Sequence, residues 1–504
     1  MGSNSFRLVV FRYERDGWWG LADEIREPVR ISEGMGDEGV LLPGPVDRAL
    51  TTSAVFASFL DASGVDAVDT VATSAIRDAP NRDDVLEAIR DRTGLSVRVL
   101  TGAEEAWYGY LAIVNSTTLS DGFGIDIGGG SVQVTQIADR QLVEAESVRL
   151  GAVRISEAFL PDDDATPKQV AKLRAHVAQT LSEFEWWRTT GGSRPRSGRL
   201  AAIGGTVRNL ASAVQKRMDL PDVDEQGFVL TRDALEELIE LLASLPASER
   251  AKVPGIKPDR GDVILGGALV VAAAMEHGGF SELEVVEAGL REGVFFEHLL
   301  SDRRPPLLDD VRRGAVENLA RRFATDPPHV EHVARLSVDL FDSLRAARLH
   351  DLDDADRDLV WAAGLLHDVG MTVDYDDHHR HSHYLILHAG LPGFSPRELE
   401  LVALIARYHR KGTPDASELG ALRRKGDGER LRLLSGIVRL AEQLERGRDG
   451  TVGGVRVASH DGRVTLEALA RDGGDPAVAV WAARRSTDLL ADALGAPVDV
   501  EPGA

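Results

Sequence analysis

The sequence Phe123-Gly-Ile-Asp-Ile-Gly-Gly-Gly-Ser-Val-Gln-Val134 consists of two apolar, β-rich runs joined by a glycine-rich turn. Three consecutive glycines let the backbone approach a ligand closely and present N–H groups to phosphate oxygens. Asp126 stands at the end of the first run, where its carboxylate can hold a divalent cation through water. Taken by itself, the motif is also compatible with an ordinary β-hairpin.

Two further turns of small residues also lie next to predicted strands. Gly2-Ser-Asn-Ser5 precedes a strand at residues 6–11, and Gly204-Gly-Thr206 joins a strand to a helix whose N-terminus could face an anion. Three such turns favour a phosphate-binding site over an isolated hairpin. Two parts of the chain each open with a strand and a glycine-serine turn, which indicates an internally duplicated fold.

One guanidinium and two carboxylates lie on motifs between these turns. Thr73-Ser-Ala-Ile-Arg77 follows a strand, and its arginine suits a bidentate phosphate contact, although a helix cap with a surface arginine is the alternative. Thr101-Gly-Ala-Glu-Glu-Ala106 places Glu104 and Glu105 at a helix start, where acidic side chains usually only complement the helix dipole. In a phosphate site, one of them could instead be a general base that activates water.

Short β-rich runs alternate with helical patterns over the first 300 residues, which predicts layered α/β structure with an antiparallel meander at 123–149. After a polar, proline-rich linker candidate at 301–306, the pattern is helical to residue 447. Short strands and one helix follow, which predict a small α+β segment. The predicted domains are residues 1–119, 120–304, 305–447 and 448–504.

The composition limits the possible functions of the 504-residue chain. It contains no cysteine, so a metal must be bound by oxygen or imidazole. No apolar run reaches the roughly 20 residues that span a bilayer, and no cationic leader opens the chain. The formal net charge of −23 opposes nonspecific binding of nucleic acid. We therefore expect a cytoplasmic protein that binds neither membrane nor nucleic acid.

Six motifs together resemble the exopolyphosphatase / guanosine pentaphosphate phosphohydrolase (Ppx/GppA) family of the actin, sugar kinase and heat-shock ATPase superfamily. They are Gly2-Ser-Asn-Ser5, Thr73-Ser-Ala-Ile-Arg77, Thr101-Gly-Ala-Glu-Glu-Ala106, Asp126-Ile-Gly-Gly-Gly-Ser131, Gly204-Gly-Thr-Val-Arg208 and Gly289-Leu-Arg-Glu-Gly293. The resemblance implies a duplicated actin-like (ribonuclease H-like) α/β core and hydrolysis of the terminal phosphate of polyphosphate, guanosine pentaphosphate or both. It also implies Mg²⁺ as cofactor and a homodimer.

The resemblance also implies roles for individual residues. Glu105 matches the catalytic carboxylate that polarises the attacking water, and Asp126 would carry the magnesium ion. Phosphate contacts are implied for Ser3, Asn4, Arg77, Gly128, Gly129, Gly130, Ser131, Gly205 and Thr206. Gln133, a tentative further metal ligand, stands where the family usually has Glu, which removes a negative charge near the metal.

The first family motif normally begins with an Asp at the end of a strand, and both features are missing before Gly2. Losing a buried central strand should destabilise a sheet severely. We therefore expect the start site of this chain to be placed too late, the alternative being a form that has lost the carboxylate and the strand.

Histidines are concentrated in the helical region, where ten of the 14 lie between His329 and His409. The pair His367-Asp368 ends an apolar run, and such a pair binds divalent ions when other helices add ligands. Together with His332 and Glu442, it resembles the HD phosphohydrolase superfamily. This resemblance implies an all-helical HD-like domain with a metal site, whereas substrate binding and dimerisation are the alternative roles for the module.

A basic patch lies at residues 407–432, where eight basic and four acidic side chains give a local charge of +4. Such a patch could track a linear polyanion, with Arg410 and Lys411 as the first candidate contacts, or it is a solvated loop. Two other functions stay open: a sensor that binds polyphosphate or an alarmone without cutting it, and an ATP-dependent kinase of the same superfamily.

Overall fold

The structure is a computed structural model that describes residues 1–36, 38–187, 198–221, 224–323, 326–471 and 474–503. These residues form two compact units. Unit 1 comprises residues 1–13, 20–219 and 227–309, and unit 2 comprises residues 14–19, 220–226 and 310–504. Within the described ranges, no helix is both long and apolar enough to cross a membrane.

The first 120 residues contain two small sheets and four helices. The elements are β1 (Phe6–Tyr13), β2 (Trp19–Glu27), α1 (Pro43–Ser63), β3 (Val71–Ala72), α2 (Ser74–Arg77), α3 (Arg82–Thr93), β4 (Arg98–Val99) and α4 (Gly102–Val114). Strand β1 pairs with β2, and β3 pairs in parallel with β4. The Met1 amino group donates to the Val71 carbonyl (2.7 Å), and the Met1 carbonyl accepts from the Thr73 amide (3.2 Å). The first residue therefore lies alongside β3.

A six-stranded sheet organises the rest of unit 1. Its elements are β5 (Gly122–Ile127), β6 (Val132–Ala138), β7 (Gln141–Val148), α5 (Ala152–Phe159), α6 (Pro167–Leu181), β8 (Arg199–Ile203), α7 (Gly205–Arg217), β9 (Val229–Thr231), α8 (Arg232–Ala243), α9 (Ala247–Arg250), a 3₁₀ turn (Pro258–Arg260), α10 (Ile264–Gly278), β10 (Glu282–Val285) and α11 (Leu290–Leu299). The strand order is β7-β6-β5-β8-β10-β9. The strands β5, β6 and β7 form the antiparallel meander predicted at residues 123–149. The strands β2 and β9 were not predicted.

Helix α4 positions the residues of the candidate site. Its N-terminus is a capping box in which the Thr101 hydroxyl accepts from the Glu104 amide (3.2 Å) and the Glu104 carboxylate accepts from the Thr101 amide (2.8 Å). Because Glu104 serves as the cap, its neighbour Glu105 turns into the protein and is buried. Gly109, one helical turn later on the same face, brings α4 close to Asp126 of β5, since a Cβ there would lie 3.9 Å from Asp126 Oδ2.

The last family motif explains how α11 packs. A Cβ on Gly293 would overlap the main chain of Tyr108 on α4, coming within 2.7 Å of its carbonyl carbon. Only glycine lets the two helices approach this closely. The Glu292 carboxylate accepts from the Gly289 amide (2.7 Å) and so completes the N-terminus of α11. This motif therefore supports the helix that carries Glu105.

Unit 2 contains the helical region and the C-terminal strands. Its elements are α12 (Val311–Phe323), α13 (Pro327–Ala346), α14 (Asp354–Leu366), a 3₁₀ turn (Val369–Thr372), α15 (His378–Ala389), α16 (Pro396–Arg407), a 3₁₀ segment (Ala416–Leu422), α17 (Asp427–Leu444), β11 (Val452–His460), β12 (Arg463–Ala470), α18 (Ala477–Arg484), α19 (Asp488–Leu494) and β13 (Val498–Gly503). The strands form a sheet in the order β11-β12-β13.

One hydrophobic core runs through unit 2, since Leu434 and Ile437 of α17 belong to the same cluster as Val464 and Val500 of the sheet. The expected mixed α/β class is confirmed, with helices predominating after residue 310. The domain boundaries at 119, 304 and 447 stay predictions.

Candidate active site and histidine cluster

Three of the motifs meet at the glycine turn between β5 and β6. The Gly128 amide donates to the Ser131 carbonyl (3.1 Å) and closes the turn. A Cβ on Gly130 would lie 2.5 Å from Ser74 Oγ and 2.8 Å from Ser3 Oγ, and these two hydroxyls are 3.2 Å apart. The turn therefore packs directly against the Gly2–Ser5 turn and the N-terminus of α2, and the glycines are required by this close approach.

Asn4 lies beside the same turn, since a Cβ on Gly129 would come 3.5 Å from the backbone amide nitrogen of Asn4. The Asn4 side chain is buried, and its Nδ2 donor finds no hydrogen-bond partner. A buried polar group without a partner is costly, so such a group commonly marks a ligand position. A phosphate oxygen would satisfy the Asn4 donor.

Glu105 is held on both carboxylate oxygens. Its Oε1 forms an ion pair with Arg77 Nη1, and its Oε2 accepts from Ser131 Oγ and from Gln133 Nε2, each at 3.4 Å. Burial raises the pKa of Glu105, an effect that the Arg77 charge opposes. The carboxylate is thus fixed beside the glycine turn and is a stronger proton acceptor than an exposed glutamate.

The amide of Gln133 points toward Glu105. Its Nε2 also donates to Ser131 Oγ (3.0 Å) and Ser147 Oγ (2.9 Å). These bonds hold the amide beside Glu105 and leave its oxygen Oε1 as the atom that could contact a cation. The metal role of Gln133 stays a prediction, and its contacts with β7 are not evident from the sequence.

Asp126 is the cross-strand partner of Gln133, so both side chains lie on the same face of the sheet. Burial and the nearby Glu105 raise the pKa of Asp126 to about 7, while Arg208 opposes the shift. Gly204 has a φ of +107°, and a Cβ there would lie 3.0 Å from Asp126 Oδ1. A half-buried carboxylate next to a second carboxylate fits a divalent cation, so Asp126 would hold Mg²⁺.

The motif after β8 places Gly205 and Thr206 against other elements of unit 1, and their phosphate contacts stay predictions. Thr206 is buried, and its side chain packs against Gly267 of α10. The guanidinium of Arg260 covers Gly205, since a Cβ on Gly205 would lie 2.7 Å from Arg260 Nη2. Gly204, and not Thr206, is therefore the residue of this motif that faces Asp126.

Sequence reasoning missed a group of arginines next to the glycine turn. Arg154 Nε donates to the Gly130 carbonyl (3.1 Å), and its Nη2 contacts Asp78 Oδ2 at 3.3 Å. Arg149 reaches the same carboxylate at 3.5 Å. The sequence feature that could have revealed these arginines is the short segment Arg149-Leu-Gly-Ala-Val-Arg154, in which two arginines flank the start of α5.

A second group of arginines, also missed, comes from three different elements, β1, α7 and α11. Arg7 and Arg291 share the Glu24 carboxylate, at 3.0 and 2.8 Å. Burial, followed by the charges of Arg291 and Arg208, lowers the pKa of Arg7 to about 10. Positive charge therefore accumulates in unit 1 although the chain as a whole is acidic, and only the folded structure brings these residues together.

A separate cluster of ionisable side chains fills the interior of unit 2. Its members are His329, His367, Asp368, His378, His409 and Glu442. The expectation for His332 is corrected, because its Nε2 lies 2.9 Å from the Val452 carbonyl and near Arg335, and it joins neither group of possible metal ligands. His329, one turn earlier on α13, contacts Glu442 and Asp368 instead.

The predicted basic patch is partly neutralised within unit 2. Lys411 Nζ pairs with Asp377 (3.0 Å), Arg407 pairs with Glu418, and Arg430 bonds Asp356 (2.6 Å). The guanidinium of Arg410 lies 5.2 Å from the centre of the Tyr375 ring. Arg410 and Lys411 thus lie next to the histidine cluster, whose member His378 begins α15.

Comparison with known proteins identifies the family. The model of the Ppx/GppA phosphatase family matches residues 12–302, and the model of Ppx/GppA phosphatase domain III matches residues 311–467. The chain belongs to the Ppx/GppA phosphatase family. Its members are phosphatases, and this confirms the resemblance stated from the six motifs.

Solved structures of Ppx/GppA proteins and of exopolyphosphatases are similar to more than half of this chain. A family member from Aquifex aeolicus is 26% identical with a TM-score of 0.51, over 60% of this chain and 96% of that chain. An exopolyphosphatase-like protein is 25% identical with a TM-score of 0.52, over 60% of this chain and 98% of its own. An exopolyphosphatase from Cytophaga hutchinsonii shares the fold at 21% identity and a TM-score of 0.54, over 59% and 96%.

Proposed function

We propose that this Ppx/GppA protein removes the terminal phosphate from inorganic polyphosphate, from guanosine pentaphosphate or from both, using Mg²⁺ and a water molecule activated by Glu105. The observation that supports this proposal is the environment of Glu105. This buried carboxylate has a raised pKa and forms an ion pair with Arg77. It also accepts a hydrogen bond from Ser131, the last residue of the glycine turn. A base in that position can act on water beside a phosphate held by the turn.

In the proposed reaction, the residues of the site bind the phosphate, accept a proton or hold the metal ion. The amides of Gly129, Gly130 and Ser131 and the unpartnered Nδ2 of Asn4 bind oxygens of the terminal phosphate. Water attacks the phosphorus atom, the bond to the bridging oxygen breaks, and Glu105 accepts the proton from the water. Bound at Asp126, Mg²⁺ would supply neutralisation of the phosphate charge.

Positive charge in unit 1 supports a highly anionic substrate. Arg154 contacts the carbonyl of Gly130, and Arg7, Arg208 and Arg291 concentrate charge within one region. Polyphosphate and guanosine pentaphosphate both end in a phosphoanhydride with several negative charges, so both suit such a region. We also infer from the family resemblance that the protein is a cytoplasmic homodimer with an HD-like helical domain.

The direct test is phosphate release by the purified full chain. Polyphosphate of defined lengths, guanosine pentaphosphate and ATP are each supplied with Mg²⁺ or with EDTA. We expect Mg²⁺-dependent release of inorganic phosphate from one or both of the first two. Tight binding without release would contradict hydrolysis and favour a sensor, and a phosphorylated acceptor formed from ATP would favour a kinase.

The sensor remains the second candidate because of Gln133. Its amide occupies a position next to Glu105 where the family usually has a carboxylate. Gln133→Glu would add a negative charge beside Asp126. A wild-type protein that binds polyphosphate without cutting it, and gains hydrolysis through this single change, would establish the sensor.

A further inference from the structure

We propose that Asp78 is a positioning residue of the candidate phosphate site, where its carboxylate holds Arg77 against Glu105 and Arg154 against the glycine turn. The inference rests on the proposed hydrolysis and adds to it a residue that acts only through other side chains. Asp78 directly follows the Thr73–Arg77 motif and belongs to none of the six motifs that resemble the family.

Both carboxylate oxygens of Asp78 are used by arginines. Arg77 Nε donates to Oδ1 (3.3 Å), and Arg154 Nη2 donates to Oδ2 (3.3 Å). Arg149 Nε lies 3.5 Å from the same Oδ2. The Asp78 side chain is only 15% exposed, and ion pairs that are largely buried are screened less than surface pairs. One negative charge therefore holds three guanidinium groups that would otherwise repel one another.

The first of these arginines connects Asp78 to the proposed base. Arg77 Nη1 forms an ion pair with Glu105 Oε1 and donates to the Leu100 carbonyl (3.1 Å). A guanidinium is planar, so bonds at Nε and Nη1 fix the direction of its third nitrogen. Nη2 makes no hydrogen bond to the residues that the structure describes. It is thus left for a phosphate oxygen beside Glu105.

The second arginine connects Asp78 to the glycine turn. Arg154 Nε donates to the Gly130 carbonyl (3.1 Å). The peptide bond after Gly130 is trans, and a trans peptide directs its C=O and N–H to opposite sides, so the Ser131 N–H is directed away from Arg154. The Ser131 amide is one of the groups proposed to bind the terminal phosphate. Asp78 therefore sets, through two arginines, the positions of the base and of a phosphate-binding donor.

A nearby ion pair with the same geometry provides a matched control. Arg82 Nε lies 3.3 Å from Asp83 Oδ1, which repeats the spacing and the distance between Arg77 and Asp78. The Asp83 side chain is 87% exposed, however, and such surface pairs contribute little. Asparagine at either position keeps the size of the side chain and removes its charge. The backbone N–H of Asp78 donates to the Ser74 carbonyl (2.9 Å) whatever the side chain, so the end of α2 is preserved.

The first test measures phosphate release with Mg²⁺ on the substrate that the wild type hydrolyses. Asp78→Asn should lower kcat about ten- to 100-fold, because Arg77 and the turn lose their fixed positions. KM should stay within about threefold of the wild-type value, since Asp78 does not bind substrate and its loss removes a charge that repels an anion. Asp83→Asn should leave both constants unchanged. An unchanged kcat in Asp78→Asn, or the same fall in kcat in Asp83→Asn, would overturn the proposal.

Thermal unfolding of the full chain tests the same bridge without relying on activity. Arg77 keeps one carboxylate partner when either Asp78 or Glu105 is changed and loses both in the double variant Asp78→Asn, Glu105→Gln. The Arg77 side chain is only 21% exposed, so losing the last partner costs most. We expect the Tm of the double variant to fall by about 2 °C or more beyond the sum of the two single losses. Asp83→Asn combined with Glu105→Gln should give additive losses.

These measurements separate a failure of the proposed function from a failure of the role of Asp78. A wild type that releases no phosphate would contradict the proposed function, and the unfolding comparison would still decide whether Asp78 holds Arg77 against Glu105. Additive losses for Asp78 and Glu105 would contradict the role of Asp78 and leave the hydrolysis untouched.

Discussion

The candidate phosphate site of unit 1 and the histidine cluster of unit 2 differ in the chemical groups that form them. The first combines backbone turns, arginines and carboxylates within contiguous motifs, whereas the second gathers imidazoles spread from His329 to His409. Because the chain has no cysteine, oxygen and imidazole are the strong ligands available to it. The difference is that unit 1 offers mainly oxygen atoms to a ligand, whereas the cluster of unit 2 offers mainly imidazole nitrogens.

The largest expected effect is the loss of phosphate release when Glu105 of unit 1 is changed. Glu105→Gln should lower phosphate release by roughly 10²- to 10⁴-fold, because it removes the proton acceptor, and should leave polyphosphate binding largely intact. The measurement is steady-state phosphate release together with substrate binding by calorimetry.

The matched control for this variant is Glu104→Gln. Glu104 is exposed and serves the capping box, a role that glutamine can also fill. Turnover should stay near the wild-type value. Equal losses in the two variants would remove Glu105 from its assigned role.

A smaller effect tests how closely the glycine turn packs. Gly130→Ala places a Cβ 2.5 Å from Ser74 Oγ, so the turn or its neighbours must shift. Such overpacking typically costs about 1–3 kcal/mol, and we expect lower stability and weaker substrate binding. Gly44→Ala in α1 is the control, since a Cβ there meets no atom within 4 Å. Thermal unfolding and KM are measured for both variants. Equal values for the two would show that the turn can accommodate an additional methyl group.

The raised pKa of Asp126 predicts a pH dependence of stability. Its carboxyl has a pKa of about 7 in the folded protein, against an ordinary value of 3.8 for aspartate. The stability that protonation contributes is complete below about pH 4 and is lost as pH rises through 7. In EDTA, Asp126→Asn should therefore gain stability relative to wild type between pH 5 and pH 8. Thermal unfolding at the two pH values tests this, and an equal difference at both would contradict it.

The smallest effect concerns the basic patch of unit 2. Neutralising Arg410, Lys411, Arg423 and Arg424 with glutamine should weaken binding of long polyphosphate several-fold and of short chains less, since exposed charges each contribute about 0.2–1 kcal/mol. KM is measured against chain length. An equal loss at every length would mean that the patch does not follow the polyphosphate chain.

Local sequence patterns predicted unit 1 better than unit 2. Glu105, Arg77 and the glycine turn each lie in a short motif, and the resemblance of the six motifs to one family implied that they share a site. His329 and His332 differ by one helical turn, and the sequence does not show which of them faces the cluster. The arginines around Glu24, and the hydrogen bonds of Gln133 to β7, depend on contacts between distant segments. The short strands β2, β9 and β13 depend on their sheet partners more than on intrinsic propensity.

The burial of α4 affects more than the position of one carboxylate. From Tyr108 to Val114 every residue of this helix is buried, and Glu105 and Ala106 are buried at its start. Amide hydrogens in such a helix exchange with solvent only when a large part of the surrounding structure opens. The backbone that carries Glu105 should therefore rank among the slowest-exchanging segments of unit 1. We therefore expect the backbone of α4 at Glu105 to keep its position when a ligand binds at the glycine turn.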